Sequence, residues 1–157
     1  MLPPLLEMRS ALFDALMADL AAAGQGRRES GAFLFGHLEP RRRVVEYRMY
    51  CEIAPESACR EAYVTLTGAE MARAWDYARN TQLQVVADVH THPEGPTQSP
   101  SDRAHPIVAV PGHVALIVPW FALQRPQPVD LGVHVFLGGG RWESRFDSEA
   151  GQAVHLI

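Results

Sequence analysis

The stretch from Val85 to Asp102, VVADVHTHPEGPTQSPSD, constrains this chain more than any other. An apolar run ends in His90 and His92, a loop marked by proline and glycine follows, and Ser99-Pro100-Ser101-Asp102 closes the segment. In an extended strand, residues i and i+2 share a face, so His90 and His92 can converge on one metal ion while Thr91 points away. Asp102 supplies an oxygen ligand once the loop folds back. Two imidazoles and a carboxylate leave the fourth position of a tetrahedral zinc open for water, as a catalytic site requires; a closed structural site would usually add thiolates, and none lie near.

The rest of the composition limits what such a site can serve. A chain of 157 residues, 47% of them apolar and 20% charged, is read as one globular domain over residues 1–157 with a real core. A net charge of −4 argues against a nucleic-acid footprint. The short runs Arg27-Arg28 and Arg41-Arg42-Arg43 read as solvated turns. Cys51 and Cys59 form no CxxC pattern and read as two reduced thiols of a cytosolic protein. Glu7, Arg9, Asp14 and Asp19 interrupt the first apolar pattern, which is therefore no signal peptide. The apolar stretch from Ile107 to Leu123 is broken by Pro111, Gly112, His113 and Pro119 and is no membrane span. A cytoplasmic protein that binds neither membrane nor nucleic acid is the expectation. All 14 basic residues are arginine, a bias that the base composition of a GC-rich genome would produce.

Along the chain, Leu5, Met8, Leu12, Leu16 and Leu20 recur at helical spacing, with Phe13 and Met17 widening the stripe; Pro3-Pro4 precede this helix and Gly24 and Gly26 end it. Gly31 to Gly36 read as a buried central strand with Glu29 at its mouth. Glu39 to Arg43 form a hairpin turn into a strand that places Val45, Tyr47, Met49 and Cys51 on one face. Ile53 to Ser57 read as a loop and Ala62 to Leu66 as a short strand. Thr67 and Glu70 form a capping box for a helix that buries Met71, Trp75 and Ala78. Leu83 to His92 make the strand bearing the histidines. A short helical turn after Asp102 stops at Pro106, Val114 to Val118 and Leu131 to Leu137 are strands, and Gly138-Gly139-Gly140 turn the chain into a last strand, Arg141 to Phe146. The fold class is α/β: a mixed sheet between helices.

Ser99 to Asp102 also suit a helix start, with a serine cap, proline at the first helical position and an acid in the first turn. The two readings are compatible, because such a turn is a firm platform from which to aim Asp102. Residue types alone leave a catalytic zinc evenly matched against a structural loop with two incidental histidines. Glu29 separates them. Hydrolysis at zinc needs a general base that takes a proton from water and passes it to the leaving amine, and a carboxylate at the mouth of a neighbouring strand can do so. Glu46, Glu52, Glu56 and Glu94 read as surface charges.

Glu29 followed by Gly31-Ala32-Phe33-Leu34-Phe35-Gly36, then His90-Thr91-His92-Pro93, then Ser99 through Asp102, resembles the JAMM (MPN+) zinc metallopeptidases. Gln98 to Pro106 and Gly112 to Pro119 are similar to the bacterial members. The resemblance implies a single MPN/JAB-type domain with a curved mixed sheet packed between helices (cytidine-deaminase-like). It implies one catalytic zinc held by His90, His92 and Asp102, with Glu29 as base and later proton donor and Ser99 as hydrogen-bond donor to the oxyanion. The implied substrate is a ubiquitin-like protein with a glycine-ended tail, and activating and conjugating enzymes are further expected partners. One departure stands out: six residues separate His92 from Ser99, where the common pattern has seven, so the loop Pro93 to Gln98 is tighter.

Two rivals accompany this expectation: a processing peptidase that trims a ubiquitin-like or sulfur-carrier precursor, and a silent MPN scaffold that only binds partners. A nucleotide deaminase is disfavoured for want of a PCxxC signature. His105 and His113 read as ordinary loop and strand-edge residues with an outside claim to orienting a ligand. Trp120 and Phe121 read as core anchors. His37, His134 and His155 are given no role.

Overall fold

A computed structural model of the chain describes residues 3–55 and 66–157. In chain order its elements are β1 (Leu6–Met8), α1 (Ser10–Gly24), β2 (Gly31–His37), β3 (Arg43–Met49), α2 (Tyr50–Ile53), α3 (Gly68–Thr81), β4 (Gln84–Thr91), α4 (Pro100–Ala104), β5 (Val114–Val118), β6 (Gly132–Gly138), β7 (Arg141–Arg145), α5 (Asp147–Ala153) and β8 (Val154–Leu156). The strands form one curled, mixed eight-stranded sheet in the order β7-β6-β5-β4-β2-β3-β1-β8. β4 is central: it runs antiparallel to β2 and parallel to β5.

Alternation along β2 separates two apolar layers. Ala32 and Leu34 face Phe13, Leu16, Met17 and Leu20 of α1, with Ala150 and Ala153 of α5 in the same layer. Phe33 and Phe35 face Ala74 and Ala78 of α3, with Met71 and Trp75 packed beside them. The α3 cap forms as the sequence predicts: the Glu70 amide donates to Thr67 Oγ1 at 3.2 Å and the Thr67 amide to Glu70 Oε1 at 2.8 Å.

Several expectations are corrected. The first helical stripe starts too early: Leu6–Met8 is a strand paired in parallel with β3 and β8, and Arg9, with extended dihedrals, precedes α1. In β3 the buried residues are Val44 and Met49, whereas Val45 is exposed, because the register with β2 shifts between Phe35 and Gly36. Such an irregularity changes which face each later residue meets. Tyr50 and Cys51 belong to α2 rather than to the strand, and Ile53 ends that helix. Cys51 is disulfide-bonded rather than a reduced thiol, while Cys59 and the strand expected from Ala62 fall outside the described residues up to residue 65. No helix among the described residues is long and apolar enough to cross a membrane.

Candidate metal centre

The ligand-bearing end of β4 is built by register. Gly31 lies opposite His90 in the antiparallel β2–β4 pair, so Glu29, two residues before Gly31, arrives on the face that carries His90 and His92. Thr91 points to the other face, fully buried, and its Oγ1 accepts the Ser30 amide at 3.0 Å. The Thr91 amide donates in return to the Ser30 carbonyl at 2.9 Å, and Ser30 Oγ donates to the Leu20 carbonyl of α1 at 2.8 Å. The residue between the two histidines therefore fixes the residue beside Glu29. Gly31 is required here: a Cβ would lie 2.3 Å from the Tyr50 ring.

Asp102 comes from α4. The Ser99 amide donates to Asp102 Oδ2 at 2.8 Å, and the Asp102 amide donates to Ser99 Oγ at 3.0 Å, a reciprocal cap that aims the carboxylate. Its oxygens then meet both imidazoles, His90 Nε2 at 3.4 Å and His92 Nε2 at 3.0 Å, while the two Nε2 atoms lie 3.1 Å apart. The ligand atoms of Glu29, His90 and His92 all fall within 4.8 Å of one another. Zinc bonds of 2.0–2.1 Å to nitrogen give a tetrahedron with edges of about 3.3 Å, close to the 3.1 Å between the two Nε2 atoms, while Asp102 meets the two imidazoles with different oxygens, Oδ1 at His90 and Oδ2 at His92.

The charges are mutually dependent. Burial pushes the Glu29 carboxyl upward and Asp102 adds to that, with His90 and His92 opposing. Burial would also raise Asp102, but hydrogen bonds from His90 and His92 outweigh it and hold this carboxyl well below the usual range. For His90 burial pulls the other way, yet the bond and charge of Asp102 leave its imidazole above the ordinary value. A cation seated among these groups would replace a proton that the imidazole otherwise carries.

The group opens into a cavity of about 370 Å³ that Glu29, Ser99 and Asp102 line with Met71, Ile107 and Trp142. The Trp142 indole N–H donates to the Arg103 carbonyl at 3.1 Å, so β7 fixes the outer end of α4. Of the other histidines, His105 borders the cavity, and His113 is buried against Asp88, Nε2 to Oδ2 at 2.7 Å, rather than against a ligand. Trp120 and Phe121 are half-buried, and their amides donate to the carbonyls of Glu94 and His92, clamping the start of the ligand loop. Sequence reasoning missed Trp142, Asp88 and the buried His134. Only Asp88 carried a signal, since it stands two residues before His90 on the same strand face.

An α/β domain with imidazoles and carboxylates gathered at the end of a central strand is the class that fold and site define. The family model described as prokaryotic homologs of the JAB domain matches residues 9–126, and the chain belongs to that family. Among solved structures, a protein from Desulfitobacterium hafniense is 15% identical with a TM-score of 0.67, over 97% of this chain and 92% of that one. A protein from Salinibacter ruber (strain DSM 13855) is 21% identical with a TM-score of 0.60, over 88% of both chains. These two likenesses bear on the fold.

Proposed function

We propose that the chain is a zinc-dependent peptidase that hydrolyses the bond after the glycine-ended tail of a ubiquitin-like protein, either freeing a conjugated lysine or removing a C-terminal extension. The observation that carries the reading is the convergence of Glu29, His90, His92 and Asp102, from three separate segments, with Ser99 on the same cavity wall. Membership of a family that includes metallopeptidases supports it. His90, His92 and Asp102 would hold the zinc, which when bound supplies a Lewis acid and an acidified water.

Glu29 takes one proton from the attacking water. Its half-buried carboxyl, raised by desolvation, suits a group that must both accept and return a proton near neutral pH. Oxygen adds to the carbonyl carbon, the carbon–nitrogen bond breaks, and Glu29 delivers the proton to the departing amine. Ser99 Oγ accepts the Asp102 amide, which leaves its own hydroxyl proton free to meet the developing oxyanion. A glycine-ended tail suits the cavity because it can approach the metal without side chains. The absence of lysine in a chain acting beside a lysine-conjugating pathway would spare it from modification.

Metal analysis of purified protein, with a lysine-linked conjugate and a linear precursor assayed side by side, tests the reading. Near-stoichiometric zinc and cleavage of at least one substrate are expected, with Asp102→Asn weakening zinc. Zinc-free protein that still binds the ubiquitin-like partner would identify a scaffold instead.

A further inference from the structure

We propose that His134 is a positioning residue of this centre: it fastens the loop Pro93–Gln98 to β6 by donating from Nε2 to the carbonyl of Pro96. The contact is 3.0 Å, and because a carbonyl only accepts, Nε2 carries the hydrogen. Nδ1 then accepts from the Ser144 hydroxyl at 2.7 Å, so two bonds fix both the tautomer and the ring plane. Ser144 lies directly opposite His134 in the β6–β7 pair, and the Phe146 ring closes over the imidazole edge-on, with centroids 5.5 Å apart. Burial holds the ring well below its ordinary value, at about 4, which keeps it neutral as these bonds require.

The loop rests on bare backbone beside this ring. A Cβ at Gly132 would lie 2.0 Å from the Pro96 carbonyl oxygen and 2.6 Å from His134 Nε2. Gly132 stands opposite Ile117, and Ile117 opposite His90, so one rung of the sheet runs from the ligand strand to the anchor. The loop leaves β4 at His92, crosses β5, is held at Pro96 on β6 and returns at Ser99. Only six residues separate His92 from Ser99, so the point where the loop is pinned helps set where Ser99 and Asp102 begin. The effect on turnover rests on the proposed function; the anchoring does not.

Hydrogen exchange on metal-free protein tests it, read at the Ser99 and Asp102 amides, whose bonds close the loop. His134→Leu should speed exchange there about tenfold, the effect of losing one hydrogen bond, with β4 amides unchanged. His134→Gln, which keeps a donor near Nε2, should restore protection. Cobalt(II) affinity should fall roughly 10- to 100-fold in the leucine variant and recover with glutamine. Ser144→Ala, which keeps the ring but frees its plane, should fall between them and decides the matter if His134→Leu does not fold. Unchanged exchange at Ser99 and Asp102 in either folded variant, or glutamine behaving like leucine, would overturn the proposal even if no peptidase activity is ever found.

Discussion

The two faces of the central strands carry opposite duties. On the α1 side, Ala32 and Leu34 of β2 and Val89 of β4 meet an unbroken apolar layer from α1 and α5. On the α3 side the same strands begin in the same way, with Phe33, Phe35 and Val85, but β4 then turns to the polar Asp88 and His90, which line the cavity. One face packs along its whole length; the other packs at one end and gathers the candidate metal ligands at the other. Because side chains alternate, the packing face also fixes the register of the ligand-bearing one: a slip of one residue would bury His90 against α1 and expose Val89 to the cavity.

The comparison breaks most sharply at Glu29. Glu29→Gln should lower turnover about 10²–10⁴-fold, the usual contribution of a general base, while zinc content and melting temperature hold. Removing a desolvated charge should, if anything, stabilise the fold. Full activity in that variant would refute the assignment. The complementary change is Phe13→Ala on the packing side, expected to cost about 3–5 kcal/mol in urea unfolding, with kcat per folded molecule unchanged. A fall in kcat of comparable size there would mean that the two faces are not separable.

How much of this was legible in the sequence follows from the range of each interaction. His90, His92 and the Ser99–Asp102 cap are read locally, because the strand period and the helix-start signature both act over two or three residues. Glu29 was legible because it stands just ahead of a continuous apolar run that could only be a central strand. β1 was misread as helix since Leu5 and Met8 fit the phase of α1, and only pairing with β3 and β8, far away in sequence, makes it a strand. α5 went unseen because its buried residues are two alanines. The facing of Val45 depends on a register irregularity with no local signature. His134 was passed over because its partner is a backbone carbonyl 38 residues away, which no residue type announces.

His134 also sharpens the comparison in acid. It lies off both packing layers, and burial, reinforced by the nearby His90 and His92 but opposed by Pro96 and Asp102, brings it to about 4. The unfolded chain takes up this proton near pH 6.5. The ring's contribution is therefore complete above that value and is lost as pH falls through the interval down to about 4, amounting to roughly 3 kcal/mol. Unfolding free energies measured from pH 7 to pH 4 should fall less steeply in His134→Gln than in the parent chain. Parallel acid limbs would mean that other groups dominate.

The smallest effect is the most informative about the division of labour, because Thr91 sits on the packing side and yet holds Ser30, the neighbour of Glu29. Thr91→Val preserves shape but leaves the buried Ser30 amide without its side-chain acceptor, a loss of about 1–2 kcal/mol. If that bond only stabilises, turnover at saturating substrate will be untouched. The geometry argues otherwise. Ser30 is the neighbour of Glu29, and it is held to the ligand strand by Thr91 and to α1 by its own hydroxyl. Loosening it should leave zinc binding intact, since no ligand moves, while kcat falls and KM does not, since the base is less well aimed. Zinc loss in Thr91→Val would instead place the bond among the supports of the histidines and make the packing face the keeper of the metal.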